Sequence, residues 1–210
     1  MITGQSEDWP TAEAIFSIVP NSQSVIDFVA LENCVVFIDQ SGSLKRYVFP
    51  DEGATCGSVE SLESFNEWLI YRSIKKNSNV AFTKIVGCFK TFVVFTDDGS
   101  IVIGKKQEHS FSMEVPRKLQ NESIVDIVVG DYHYLAITKN GDLLSWGLES
   151  QSNGCLGLGS ETDTGVMQEE GTSLRVVDPT VVPKQNTNGQ WLRIAAAGWH
   201  SCAVYVNKSP

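Results

Sequence analysis

Short apolar runs rich in Val, Ile, Phe and Tyr recur along this chain and predict strands. The clearest example is Ile124–Val129, which is followed by further runs at residues 134–138 and 143–146. Runs this short, enriched in β-branched and aromatic residues, are typical of strands rather than helices. Asn140-Gly141 separates the second run from the third, and a type I′ hairpin turn favours this dipeptide because both central residues need positive φ. The pattern therefore predicts antiparallel strands joined by tight turns.

The same pattern of runs occurs four times. Gly42, Gly99 and Gly141 align in the first three copies and are 57 and 42 residues apart, whereas the fourth copy stops before its turn. Short strands joined by hairpins at such a period predict an all-β fold, in particular a β-propeller whose blades are four-stranded antiparallel sheets. The copies are residues 25–42, 83–99, 124–141 and 191–206.

One segment, residues 58–76, departs from the strand pattern. Its apolar side chains have roughly helical spacing, and its acidic residues precede its basic ones, an order that suits the dipole of a helix. Two interpretations are open: a surface helix or distorted outer strand inserted in the first blade, and an exposed helix that binds a partner. The apolar residues are Leu62, Phe65, Trp68, Leu69 and Tyr71.

The composition predicts a folded domain. Hydrophobic residues make up 42% of the chain and charged residues 20%, whereas a disordered chain would be more charged and less apolar. The formal charge of −9 disfavours nucleic acid as a partner because phosphate backbones repel an acidic surface. No apolar run approaches the ~20 residues of a membrane span, and the start of the chain lacks the features of a secretory signal. We therefore expect an intracellular protein of the cytoplasm, the nucleus or both, with no membrane partner.

The cysteines indicate neither a disulfide scaffold nor a metal site. Their number is odd, and they form no Cys-x-x-Cys pair with a nearby set of histidine ligands. The sequence also has no nucleophile elbow, paired metal ligands or phosphate-binding loop. We therefore expect no metal, no cofactor and no enzymatic activity. The cysteines are Cys34, Cys56, Cys88, Cys155 and Cys202.

A glycine-rich stretch after the third copy carries a family resemblance. Residues 145–160 read SWGLESQSNGCLGLGS, and residues 127–147 read IVVGDYHYLAITKNGDLLSWG. Together they resemble the repeat of the regulator of chromosome condensation (RCC1-like) β-propeller family. The resemblance is strong across residues 116–206 and weak before Val80. The matching residues are Gly130, His133, Gly141, Trp146, Gly147, Gly154, Gly157 and Gly159, with Gly198 and His200 in the fourth copy.

These residues are expected to have structural roles. The glycines allow the backbone to turn and to pack closely against the neighbouring blade. His133 and His200 recur at the same position and are expected to hydrogen-bond the backbone between blades. Trp146 is expected in the core.

The resemblance also changes the meaning of the chain length. Propellers of this family commonly have about seven blades of about fifty residues, so 210 residues supply a partial or small propeller of about three to four blades. The expected parts of this single domain, residues 1–210, are a leading strand (1–21, around residues 15–19), a degenerate blade with an insertion (22–80), a second degenerate blade (81–119), the best-matching blade (120–188) and a trailing half blade (189–210).

The resemblance implies a protein–protein interaction module, most directly the substrate-recognition part of an SCF/F-box-type ubiquitin ligase, as in fungal F-box proteins. A metabolic enzyme is then a plausible protein client, and a ubiquitin-ligase adaptor such as Skp1 would bind a region outside this chain. The fold alone does not choose among the family's functions. A guanine-nucleotide exchange factor or regulator for a small GTPase and a non-catalytic scaffold remain as alternatives, and homo-oligomer formation stays open.

Binding residues are predicted at the corner between the first two strands of each copy. Loops converge there on one face of a propeller near its axis, where binding usually occurs. Aromatic residues occupy three of the four corners, and Tyr and Trp are favoured in binding hot spots. The alternative is that these rings fill the mouth of the channel as core. The predicted partner-binding residues are Glu32, Asn33, Phe89, Lys90, Asp131, Tyr132 and Trp199.

A long insertion, residues 148–181, contains the polar and acidic stretch ETDTGVMQEEGTS. This composition predicts a mobile loop, with ordering on binding as the alternative. Its acidic character would suit a basic client surface.

Overall fold

The strands of this protein form antiparallel sheets that follow one another along the chain as blades. The computed structural model describes residues 25–49, 57–150, 154–159, 168–170, 173–184, 186 and 188–207. Within these residues there are four sheets. The predicted leading strand around residues 15–19 lies outside the described residues.

The first two blades each contain four strands in sequence order. The central strands of the second blade are buried on both faces, which accounts for their nearly continuous apolar sequences. The strands of the first blade are β1 (Val25–Ala30), β2 (Cys34–Asp39), β3 (Leu44–Val48) and β4 (Ser58–Ser61). Those of the second blade are β5 (Phe82–Cys88), β6 (Thr91–Thr96), β7 (Ile101–Lys106) and β8 (Phe111–Glu114).

The third blade is larger, and the fourth has two strands in the described residues. The third blade has the strand order β12-β13-β11-β10-β9, and the 3₁₀ turn Leu119–Asn121 precedes it. Its strands are β9 (Ile124–Val129), β10 (His133–Thr138), β11 (Leu143–Ser150), β12 (Gln168–Glu170) and β13 (Ser173–Val181), and those of the fourth blade are β14 (Gly189–Ala197) and β15 (His200–Asn207).

The prediction of a mobile loop over residues 148–181 is wrong where the structure describes this segment. β13 pairs with β11 along most of its length, and β12 pairs with β13 at the edge of the sheet. Arg175 and Val177 are exposed on either side of the buried Val176. An outer strand with one solvated face needs few apolar residues, so its polar composition resembles that of a loop.

Helix α1 (Glu63–Lys76) is inserted between β4 and β5, as the spacing of apolar residues predicts, although the first residues of the predicted segment form β4 instead. Phe65 and Leu69, one turn apart, are buried. The ring centroid of Phe65 lies 5.3 Å from that of Phe92 in the second blade. The helix therefore packs into the seam between the first two blades.

The innermost strands lie side by side, with β1 beside β5, β5 beside β9 and β9 beside β14. Each of them is the first strand of its blade, so the corners that follow them open on the same face. Two clusters of buried side chains fill the space between the blades, one around α1 and the first two blades and one from the second blade to the fourth. The predicted all-β partial propeller, with four-stranded antiparallel blades and one inserted helix, is confirmed.

Candidate functional site

The corner residues of adjacent blades are joined by backbone hydrogen bonds. Glu32 N–H donates to the Phe89 carbonyl, and Asp131 N–H donates to the Gly198 carbonyl, both at 2.9 Å. The first bond links the first blade to the second, and the other links the third blade to the fourth. The predicted corner residues of all four blades are thereby brought onto one surface.

Three aromatic side chains from successive corners touch one another on this surface. The ring centroids of Phe89 and Tyr132 are 6.2 Å apart in an edge-on arrangement, and those of Tyr132 and Trp199 are 4.7 Å apart. Tyr132 is 42% exposed, and the two flanking rings are half-buried. Phe89, Tyr132 and Trp199, here named the aromatic row, therefore present a continuous apolar strip across three blades rather than a fully buried plug.

The aromatic row ends in a cluster of charges at the first two blades. Lys90 Nζ lies 4.8 Å from the centroid of the Phe89 ring and 3.8 Å from Glu32 Oε2. Lys106 Nζ lies 3.1 Å from the same carboxylate oxygen. The exposed Asn33 lines a cavity of ≈ 260 Å³ between these blades, together with Arg46. The predicted residues Glu32, Asn33 and Lys90 thus form a polar border to the row.

Lys106, Arg46 and the backbone of Phe89 were missed by the sequence prediction. Phe89 has a φ of 52°, close to the 55° of Gly198 at the equivalent corner position. A side chain in this left-handed region carries strain that glycine avoids, and such strain clusters at functional sites. The alignment of a phenylalanine with a glycine was the signal in the sequence that could have identified this position.

A second cavity, of ≈ 310 Å³, opens beside Tyr132 between the second and third blades. Its floor includes the stacked rings of Tyr134 and Trp146, whose centroids are 4.9 Å apart. Burial raises the pKa of Tyr134, so its phenol stays protonated. Asp131 and Glu114 line its walls. The cavity is large enough for one partner side chain next to the aromatic row.

The thiol next to this cavity is not activated. Cys88 Sγ donates a hydrogen bond of 3.4 Å to Asp131 Oδ1. Burial raises the pKa of Cys88, and the hydrogen bond to the carboxylate raises it further. The protonated thiol is a poor nucleophile.

His133 joins the third blade to the fourth beneath the corner surface. Its side chain is fully buried, and its Nε2 lies 2.7 Å from Ser201 Oγ. Burial lowers the pKa of His133, although the charge of Asp131 and a contact with the backbone of His200 partly oppose this. The imidazole is therefore neutral near pH 7. His200 itself is exposed.

The remaining motif residues lie at close packing points. A Cβ on Gly130 would approach His133 Cε1 to 2.2 Å, so no larger residue fits beside the buried imidazole. Trp146 is 3% exposed, and Leu156 and Leu158 of the glycine-rich stretch are buried. The other motif glycines have positive φ, namely Gly141, Gly147, Gly154, Gly157 and Gly159.

Two searches of the described residues concern other functions. In this part of the chain, no group of three or more His, Cys, Asp or Glu side chains is arranged to hold a metal ion. Across the same residues, no helix combines the length and the apolar character that a membrane crossing requires.

Sequence comparison finds related proteins. Two profiles described as regulator of chromosome condensation (RCC1) repeat match residues 124–155 and 140–204. SCF-associated factor 1 of Saccharomyces cerevisiae is 30% identical over 210 residues, which cover 94% of this chain and 30% of that protein. F-box protein pof9 of Schizosaccharomyces pombe is 31% identical over 138 residues, which cover 60% of this chain and 28% of that protein. The chain spans less than a third of the length of these curated relatives.

Solved structures share the fold. The structure of Prp20p from Saccharomyces cerevisiae has a TM-score of 0.56 at 15% identity, and human WBSCR16 has a TM-score of 0.53 at 14% identity. Both alignments cover 89% of this chain, but they cover only 44% of Prp20p and 46% of WBSCR16. At these identities the likeness concerns the fold alone, and it agrees with a partial propeller.

Proposed function

Because this chain carries regulator of chromosome condensation (RCC1) repeats, we propose that it is a protein–protein interaction module that recognises substrates for a ubiquitin ligase of the SCF/F-box type. Its similarity to SCF-associated factor 1 extends over 94% of its length and supports this proposal. The similarity to F-box protein pof9 supports the same class. Contact with a ligase adaptor such as Skp1 is assigned to a region outside this chain.

The aromatic row is the observation that carries the proposal, and it is the client-binding surface. Tyr and Trp dominate binding hot spots because they bury a large rigid area at small cost in conformational entropy. Tyr132 is accessible yet held between Phe89 and Trp199, so little mobility is lost when a client covers it. The charged and polar border formed by Glu32, Asn33, Lys90 and Asp131 excludes water at the rim and helps to select the client.

The first experiment identifies clients by contact with the row. The wild-type chain, Tyr132→Ala and Tyr71→Ala are immobilised, and the proteins that they retain are quantified. Tyr71 is the matched control because it is 59% exposed on α1, away from the corners. A client is a protein retained by the wild-type chain and by Tyr71→Ala but lost with Tyr132→Ala.

The affinity of each purified client then tests the surface directly. Loss of a hot-spot side chain costs about 2 kcal/mol, so Tyr132→Ala should weaken binding by about thirtyfold. Its thermal unfolding should match that of the wild-type chain. Equal affinity of both proteins for every client, or a large loss of thermal stability in Tyr132→Ala, would show that the ring is core and would remove the row from the proposal.

The ligase part of the proposal has its own test. Deletion of the gene should lengthen the half-life of the client in cells, and re-expression of the wild-type protein, but not of Tyr132→Ala, should shorten it again. An unchanged half-life would leave an interaction module without a ligase role. Accelerated nucleotide release from any small GTPase in a panel would instead support the exchange-factor alternative.

A further inference from the structure

The first blade has an apolar face that no described residue covers fully. Side chains alternate along β1, and Asp27 faces the second blade, where its Oδ2 accepts a hydrogen bond of 2.9 Å from Ile85 N–H. Ile26 and Phe28 point to the opposite side and are 53% and 63% exposed. One end of the row of blades therefore presents large apolar side chains to solvent.

The fourth blade has a matching face at the other end. Ser201 of β15 faces the third blade, where it contacts His133. Val204 and Val206 lie on the other side of the strand and are 51% and 40% exposed. Leu192 of β14 is 45% exposed. This end is apolar and open as well.

The inner seams show what covers such faces elsewhere in the molecule. β5 of the second blade is covered on both sides. Ile85 packs into the cluster of the first blade, and Val86 and Cys88 pack into the cluster of the third. A blade face is thus covered by the innermost strands of the next blade in the row.

We propose that a second copy of this chain covers both end faces and closes the ring. The first blade of each copy packs against the fourth blade of the other, so that two identical seams form. Such head-to-tail contacts close when the rotation per copy completes a circle, and here each copy contributes half of the circle. The alignments support this share, because the chain covers only 44% and 46% of two solved propeller chains. A closed ring leaves no blade face exposed.

Mass measurements on the purified chain test the proposal. Light scattering across a concentration series should give twice the 23.1 kDa of one chain. Phe28→Asp and Val204→Asp place a charge on either end face, and each variant should be monomeric. Both positions are exposed, so neither change should prevent folding. Ile74→Asp is the matched control, because Ile74 is 74% exposed on α1, remote from both faces, and it should stay dimeric.

Mixing the two monomeric variants separates a head-to-tail ring from other dimers. In the mixture, the intact fourth blade of Phe28→Asp can meet the intact first blade of Val204→Asp, so one of the two seams is restored. A mixed dimer should therefore appear, weaker than that of the wild-type chain. A dimer that pairs like faces would not be rescued by mixing.

Three results would overturn the proposal. A wild-type chain that stays monomeric at every concentration would show that another partner covers the faces. Open polymers in place of a dimer would show that the contact does not close. Dimers that persist in both aspartate variants would place the contact elsewhere on the surface.

Discussion

The seam between the first and second blades and the seam between the third and fourth blades are alike at their ends and different in their middles. At the corners, Glu32 N–H donates to the Phe89 carbonyl in the first seam, and Asp131 N–H donates to the Gly198 carbonyl in the second. The residues of the two pairs are equivalent. Blades with weak and strong sequence motifs therefore share one corner geometry.

The hairpin turns at the opposite end of the blades show the same agreement. Phe82 N–H donates to the Gly42 carbonyl at 3.1 Å, and Trp191 N–H donates to the Gly141 carbonyl at 3.0 Å. Each bond joins the turn of one blade to the first strand of the next. The degenerate first blade thus keeps the glycine that the contact requires, although it lacks most of the repeat motif.

The material that fills the two seams is different. Phe65 and Leu69 of α1 pack between the first two blades, whereas Leu156 and Leu158 of the glycine-rich stretch fill the seam that leads to the fourth blade. Backbone bonds set the spacing of the blades, and either a helix or a loop can then bury the apolar volume between them. The inserted helix explains how the first blade does without the Leu-Gly-x-Gly sequence.

Removal of either filler should have the largest effect. Phe65→Ala should lower the free energy of unfolding by about 3–5 kcal/mol and Leu156→Ala by about 2–5 kcal/mol, because each truncation leaves a cavity in place of a side chain with no exposed surface. Chemical denaturation measures both values. Ile74→Ala, at the exposed face of the same helix, should change stability by no more than about 0.5 kcal/mol.

Hydrogen exchange locates these effects. Phe65→Ala should accelerate amide exchange in the first two blades, and Leu156→Ala should accelerate it in the third and fourth. The same acceleration in all four blades from either variant would contradict the view that each filler serves its own seam.

The equivalent corner positions should differ by a smaller amount. Gly198→Ala should cost about 1–2 kcal/mol, the cost of a left-handed residue with a Cβ, because no atom within 4 Å would clash with the new methyl group. At Phe89, where φ is 52°, Phe89→Gly should be more stable than Phe89→Ala by a similar amount. Equal stabilities within each comparison would show that these φ values are not retained in solution.

The smallest expected effect is a difference in acid sensitivity between the seams. Burial lowers the pKa of His133, so the unfolded chain binds more protons there than the folded chain. This contribution is complete above the ordinary pKa of 6.5 and is lost as the pH falls below it. His133→Gln should therefore flatten the pH dependence of thermal unfolding just below pH 6.5, and an unchanged profile would contradict the buried, neutral imidazole.

The first seam should respond only at lower pH. Burial by itself raises the pKa of Asp98, but hydrogen bonds from Thr96, Ser100 and Arg72 outweigh it and hold the pKa well below its ordinary value of 3.8. Because this pKa is lowered, the stabilisation persists above pH 3.8 and is lost as the pH falls through the folded-state value. Asp98→Asn serves as the comparison for the His133 variant, and it should leave the profile near pH 6.5 unchanged.

Local patterns explain why much of the fold was predictable. The strands and hairpins of the blades follow from apolar runs and turn glycines, and α1 follows from the spacing of Phe65 and Leu69. The strands β12 and β13 were missed because an outer strand pairs on one side and is solvated on one face. Its sequence therefore lacks a strong periodic signal.

The candidate site was predictable in part for a similar reason. Alignment of the copies identified Phe89, Tyr132 and Trp199 at equivalent corners, and the structure places their rings in contact. The ion pair between Lys106 and Glu32 was not predictable, because these residues are 74 positions apart and no repeat relates them.

The sequence by itself determined the repeat, the alternation of strands and turns, and the corner positions, because each depends on residues close together in the chain. Only the tertiary structure decided which blade faces are covered, which fill each seam receives, and that the corner aromatics meet in one row. Those outcomes depend on how separate blades pack. Ile26 and Val204 have the pattern of ordinary strand residues, and only the arrangement of the blades leaves them facing solvent.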